Sequence, residues 1–344
     1  MKRNVLVWIV VVVIGFGVFG VLANYFYNEP NEDPIYLLVD SWAGYIPLYV
    51  AYENGFFEDE GVLVKFDILD DSAEIGSIVD KKDSFYDGYS ATYPQSSVSG
   101  DIDFDSSAVY VFDYSYGGDV VIGDSSIESI KDLKGKKIGI IALDSFSHRF
   151  LISLLEKNGL SEDDVEFIEV SAYDVLDALR EGEIDAGHTW DPIKNEAIDA
   201  GYNLIASSKE TPGLIVDVLV MKKSVIRERE QDIQGVVSAL ERAYEFIKEN
   251  KKESYSLMAN RTGVSLADLA GVCKGIKLVS PEENILALTD SDSNISLYST
   301  SEDISDFMIK RGQLNKGFSA EDLVDSRFVE KNGLLDSLLN IFKV

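Results

Sequence analysis

Short apolar runs alternate with amphipathic stretches along this chain, and that rhythm predicts its elements. Residues 35–39 (Ile-Tyr-Leu-Leu-Val) read as a strand with no polar face. Pro47 then suits the first turn of a helix, where its missing N–H costs nothing. Leu48, Ala51 and Tyr52 fall at i, i+3 and i+4 on one helical face, and Gly55 ends it. Residues 62–69 and 108–112 read as further strands, with a helix over 75–79 that Ser72 caps. The rhythm restarts near Ile122: strand 138–142, helix 146–158 closed by Gly159, strand 165–170, helix 172–180 and a short strand at 186–188. A strand over 215–221 follows, after which helices dominate, at 236–250, 266–274 and 301–311. Continuous apolar strands separated by helices predict an α/β protein with mostly parallel sheets covered on both faces. The strand–loop–helix unit at 35–54 recurs at 138–155, which suggests two lobes. The predicted boundaries are 35–121 with 217–344 for lobe 1 and 122–216 for lobe 2, with crossings near 119–122 and 216–220.

The N-terminus follows a different pattern. Lys2 and Arg3 precede an uncharged run over 5–23, whose length at ~1.5 Å per residue is close to the thickness of a bilayer core. Tyr25, Phe26 and Tyr27 follow like an interfacial belt, then Glu29, Glu32 and Asp33. Residues 1–23 are thus expected to be one N-terminal transmembrane helix with its basic end inside, and 24–34 a linker. Val21-Leu22-Ala23 also reads as a signal-cleavage site. Either reading puts the body on the outer face of the plasma membrane, anchored or released. No cysteine lies near this segment to carry a lipid.

Composition removes several functions. Sixty acidic against 31 basic residues give a net charge of −29, so nucleic acid is not an expected partner. The single cysteine, Cys273, excludes a disulfide framework and a thiolate zinc site within the chain. His148 and His188 are the only histidines, too few for an all-histidine metal site. There is no Gly-x-Ser-x-Gly elbow and no phosphate-binding Walker loop. No metal, cofactor or enzymatic activity is expected.

The string over 47–61, Pro-Leu-Tyr-Val-Ala-Tyr-Glu-Asn-Gly-Phe-Phe-Glu-Asp-Glu-Gly, resembles the first binding loop of the nitrate/sulfonate/taurine-type solute-binding proteins of ABC importers. Four further strings keep that family's order and spacing: Gly135-Lys136-Lys137-Ile138-Gly139, the run from Gly159 to Val165, Gly182-Glu183-Ile184-Asp185-Ala186, and Trp190-Asp191-Pro192. The stretches 303–312 and 323–329 resemble its tail. The resemblance covers about 35–329. It implies a two-lobed, type 2 periplasmic-binding-protein fold that captures a small organic or oxyanion solute, such as a sulfonate, nitrate or thiamine precursor. Delivery to a membrane permease with its ATPase, both separate chains, is implied too. The alternative is a membrane-anchored sensory receptor domain using the same fold. A pyrimidine-forming enzyme family shares the fold, but its cysteine-rich motif is absent here.

In such a fold ligands lie at strand carboxyl ends between the lobes. Four loops qualify. The first carries Ser41, Trp42, Gly44 and Tyr45, whose rings suit either a ligand or lobe packing. The second carries Thr92, a cap for a helix after Pro94 or a ligand donor. In the third, Ser115 and Tyr116 precede Gly117-Gly118, and Asp119 is expected to hold the hinge. In the fourth, Ser145 and His148 open a helix, as a cap and surface ring or as ligand contacts. Trp190 begins a further helix, with Asp191 as N-cap and Pro192 at the first position. Asp217 lies at the second crossing and suits a hinge or the cleft. No basic side chain is assigned to the cleft, which departs from the nitrate and sulfonate binders.

Overall fold

The computed structural model describes residues 33–69, 75–79, 84–93, 105–289, 291–312 and 314–332. The apolar N-terminal run and most of the expected linker lie outside these residues, as does the helix expected after Pro94. Among the described residues no helix is long and apolar enough to cross a membrane.

Strand β1 (Ile35–Asp40) is buried except at Tyr36. A run without a polar face must be covered on both sides, so it sits inside a sheet, parallel to β2 (Val64–Leu69) and β3 (Gly88–Thr92). A single 3-10 turn at Ala43–Tyr45 then joins β1 to helix α1 (Ile46–Glu53), with Pro47 in its first turn. Strand β4 (Ser106–Ser115) is buried along all ten residues. It carries the chain out of the first lobe into β5 (Val120–Gly123) of the second.

The second lobe continues through β6 (Lys137–Ile140), α2 (Phe146–Lys157), β7 (Glu166–Glu169), α3 (Val175–Glu181), β8 (Ala186–Thr189), α4 (Ile193–Asp199) and β9 (Asn203–Ser207). Its sheet runs β7-β6-β8-β5-β9. Phe150, Leu151 and Leu154 of α2 fill one face against Val121 and Ile138. Val175, Leu176 and Ala197 fill the other against Val120 and Ile122. The chain returns through β10 (Val216–Lys222), and the first lobe is completed by the long helix α5 (Glu230–Glu249), strand β11 (Ile276–Leu278), α6 (Pro281–Leu288) and α7 (Leu297–Lys310). That lobe's sheet runs β11-β4-β10-β3-β1-β2.

The molecule is thus an α/β, two-lobed fold of the periplasmic-binding-protein kind, but its sheets are mixed rather than mostly parallel. β10 is antiparallel to both β3 and β4, and β5 is antiparallel to both β8 and β9. The cause is the double crossing. A chain that leaves a lobe through β4 and returns beside it through β10 must run the two strands in opposite directions. Gly213 serves the return: its φ is 81°, and a Cβ there would meet the Asn294 carbonyl oxygen at 1.7 Å.

One side chain completes the sheet. β11 pairs β4 only from Asp113 to Ser115, so Val111 lacks a strand partner on that edge. The fully buried Asn284 of α6 supplies one: its Oδ1 accepts from the Val111 N–H at 2.7 Å and its Nδ2 donates to the Val111 carbonyl at 2.9 Å. Asn284→Ala leaves both backbone groups buried and unpaired and should cost about 2–4 kcal/mol in a urea titration, whereas the half-buried Asn250→Ala, which breaks one bond to the Phe246 carbonyl, should cost far less.

Candidate functional site

Both sheets aim strand ends at the space where the lobes meet. Trp42 follows β1 in the first lobe, and Trp190 follows β8 in the second. Their rings meet edge to face, centroids 6.4 Å apart at 76°. Trp190 also touches Tyr173 at 5.8 Å and His188 at 5.5 Å. This aromatic contact joins the lobes at the head of the candidate cleft.

Beneath Trp42 lies a set of buried carboxyl groups. Asp113 of β4 and Asp217 of β10 are direct cross-strand partners, so their side chains leave the same face of the sheet. Thr92, opposite Asp217 on β3, donates its hydroxyl to Asp217 Oδ1 at 2.8 Å, and the Tyr45 hydroxyl donates to the same oxygen at 3.4 Å. Asp40, the last residue of β1, accepts from the Trp42 backbone N–H at 2.7 Å. Gly44 makes room: a Cβ there would stand 1.6 Å from Asp113 Oδ2 and 2.7 Å from Trp42 Nε1. The Trp42 indole lies beside the Asp113 carboxyl and favours its charged form, yet neither Asp113 oxygen nor Trp42 Nε1 has a hydrogen-bond partner of sound geometry.

Burial dominates the electrostatics of this floor. Desolvation lifts Asp40 to about 7 against the bond from Trp42, and lifts Asp217 to about 8 against the bond from Thr92, with Asp119 and Asp40 adding repulsion. Asp113 is pushed well above the carboxylate range by desolvation first and by Asp217 second. Burial thus favours the neutral form of the carboxyl groups on this floor.

The other expected residues have different surroundings. Ser115 is tied into the crossing: its hydroxyl accepts from the Asp119 N–H at 3.1 Å and bonds Ser208 at 2.8 Å. Asp119 in turn pairs with His188 Nε2 at 2.7 Å. Tyr116 lies under the Lys277 ammonium, 3.9 Å from its ring centre. Ser145 caps α2, accepting from the His148 N–H at 3.4 Å and donating to the Ala142 carbonyl at 2.7 Å. His148 is buried rather than on the surface. Its Nδ1 accepts from the Asp144 N–H at 2.9 Å, its ring edge meets Phe167, and burial with the Arg311 charge lowers its pKa. Ser41 is half-buried directly before Trp42. The structure therefore gathers Trp42, Gly44, Tyr45, Thr92, Trp190 and Asp217, while Ser145 and His148 form a second cluster and Ser115 and Tyr116 a third.

Thr92 ends a strand and donates to Asp217, and the helix it is expected to cap lies outside the described residues. One expectation changes. Asp191 is not the N-cap of α4, which begins at Ile193 after Pro192; its carboxylate instead pairs with the Lys194 ammonium at 2.5 Å. Sequence reasoning missed Asp40, Asp113 and His188. The available signal was an aspartate directly after each of two apolar runs, 35–39 and 108–112. It also missed a second tie between lobes: Arg311, which caps the end of α7, bonds Asp144 and reaches Glu162 at 2.6 Å.

Two lobes crossed twice by the chain, with aromatic rings facing across the junction, define the architecture of solute-binding proteins. The family model described as NMT1/THI5 like matches residues 42–254, and the chain belongs to that family. A Brucella abortus protein named for a binding role is 28% identical over 181 residues, 51% of this chain and 56% of that protein. The chain thus spans little more than half the length of that relative. A Bacillus subtilis protein named for aliphatic sulfonate binding is 24% identical over 295 residues, 83% of this chain and 84% of its own. Among solved structures, the periplasmic aliphatic sulphonate binding protein SsuA from Escherichia coli superposes with a TM-score of 0.66 at 16% identity, covering 86% of this chain and 98% of that one.

The raised carboxyls fix a pH dependence. An aspartate whose folded pKa lies above its unfolded value favours folding below the unfolded value, and that contribution is lost as pH rises through the folded value. Asp217→Asn keeps an acceptor for Thr92 and removes the titration. Its stability relative to the parent should therefore rise between pH 4 and 8, by at most about 1.4 kcal/mol per pH unit, in paired urea melts. A difference independent of pH would contradict the burial of that charge.

Proposed function

We propose that this chain is the extracytoplasmic solute-binding subunit of an ABC importer. It captures a small molecule between its lobes and delivers it to a permease and ATPase on separate chains. The observation that carries the reading is the Trp42–Trp190 contact, one ring from each lobe, above a floor of polar groups at strand ends. Family membership and the names of the relatives support it. The ligand-facing set is Trp42, Gly44, Tyr45, Thr92, Trp190 and Asp217, with Ser41 at the rim; Ser115, Tyr116, Ser145 and His148 act around it, at the crossing and at the α2 tie. Lobe 1 comprises 35–121 and 217–344, and lobe 2 comprises 122–216. The apolar run 5–23 tethers the body to the outer face of the membrane. In this role the chain performs no chemistry: rings and hydroxyls bind, and lobe closure excludes water.

A thermal-shift screen of the purified chain against sulfonates, nitrate, thiamine precursors, flavins, amino acids and organic amines tests this. One class should stabilise the protein, by about 2.7 kcal/mol at 100 times its Kd. Trp190→Ala should weaken that ligand about tenfold or more. No stabilisation by any class, or full affinity in Trp190→Ala, contradicts the proposal.

A further inference from the structure

Among the described residues, several buried polar atoms around the cleft floor have no partner. Asp113 is fully buried with both oxygens unpartnered, and His188 is fully buried with Nδ1 unpartnered. Beside the Asp113 carboxyl stands the indole donor Trp42 Nε1, out of sound hydrogen-bond geometry. These groups are contiguous: Asp113 abuts the Gly44–Trp42 turn, Trp42 meets Trp190, and Trp190 meets His188. Buried polar atoms are satisfied in a working complex, so the missing partner is rich in N–H donors.

Charge points the same way. Asp113 is faced by Asp217 on β10, Asp40 at the end of β1, Tyr45 on the turn, Asp119 at the crossing and Cys273 before β11. None of these is a cation. Among the described residues the buried guanidinium at the lobe boundary is that of Arg149; it donates to the Tyr93 carbonyl at 3.3 Å, and its charged or titratable neighbours are Tyr93 and Asp303 rather than the floor aspartates. An anion seated here would meet carboxyl groups, whereas a cation would meet them and the electron-rich rings of Trp42 and Trp190.

Resting on the solute-binding reading, we infer that the captured solute is a protonated nitrogen base, an amine, amidine or guanidine, that directs its N–H groups at Asp113 and its apolar body at Trp42 and Trp190. The base stays protonated. Asp113 gives up its proton to solvent as the cation arrives, so binding releases protons and tightens as pH rises, by at most about tenfold per unit. An anion would produce the opposite sign. The relatives named for sulfonates would then differ from this chain in ligand charge.

The test is titration calorimetry on the purified full-length chain at pH 7, in phosphate and in Tris, whose ionisation enthalpies differ. The probes are benzamidine, agmatine, putrescine and phenethylamine against benzenesulfonate, ethanesulfonate and nitrate. At least one base should bind saturably and release a fraction of a proton up to about one, and tighten from pH 6 to 8. Asp113→Asn should weaken it about tenfold or more and abolish most of the proton release. If Asp113→Asn does not fold, Asp217→Asn, which keeps the Thr92 bond, should reduce both. Binding of a sulfonate or nitrate with no binding of any base overturns the inference and leaves solute capture standing. Binding of a base with unchanged affinity in the folded aspartate variants overturns it as well. Silence from every probe overturns it too, and silence in the broader thermal screen would remove the solute-binding reading with it.

Discussion

Two carboxyl groups that face each other on neighbouring strands, Asp113 and Asp217, set the terms for the rest of this molecule. The strands that bear them, β4 and β10, are also the ones that take the chain to the second lobe and bring it back. The site's electrostatics and the hinge therefore share the same backbone. Thr92 and Tyr45 satisfy one oxygen of Asp217, and Asp113 is left without a partner of sound geometry. A buried, unpaired carboxyl at this position weakens the fold at high pH.

Three of the contacts between the lobes among the described residues differ in chemistry. Trp42 and Trp190 make an apolar contact. Arg149 reaches the Tyr93 carbonyl, a charged donor on a neutral acceptor. Arg311 ties the end of α7 to Asp144 and Glu162, beside the buried His148 and Phe307. Glu162 is 37% exposed, so salt screens that tie, and pairs of this kind contribute about 1 kcal/mol or less. The Arg149 contact is shielded from solvent. The aromatic contact alone offers surfaces on which a solute can lie, which separates holding the lobes together from recognising what is between them.

The legible parts of the fold were those decided locally. The junction from β1 to α1 was readable because an apolar run, a proline and a glycine punctuate it, and α2 because its apolar spacing and Ser145 cap agree. β3 was not readable: Gly-Tyr-Ser-Ala-Thr has a weak pattern and is a strand because β10, more than 120 residues later, pairs with it. Sheet polarity was misjudged for the same reason, since direction depends on long-range pairing. In the site, the aromatic residues were legible from their loops, as was Asp217. Asp113 was hidden because a buried aspartate beside an apolar run looks like the end of a strand, and its meaning comes from Asp217, 104 positions away.

The order of strands also governs how the chain assembles. All five strands of the second lobe lie in one continuous stretch, Val120–Ser207, whereas β3 and β4 of the first have no common neighbour until β10 has been made. A polypeptide emerging N-terminus first can therefore complete the inserted lobe while its host is still two unjoined fragments. The aspartates of the floor come together only when that last central strand slots in, so the candidate cleft floor is the final product of vectorial folding, and no truncated chain ending before β10 can possess it.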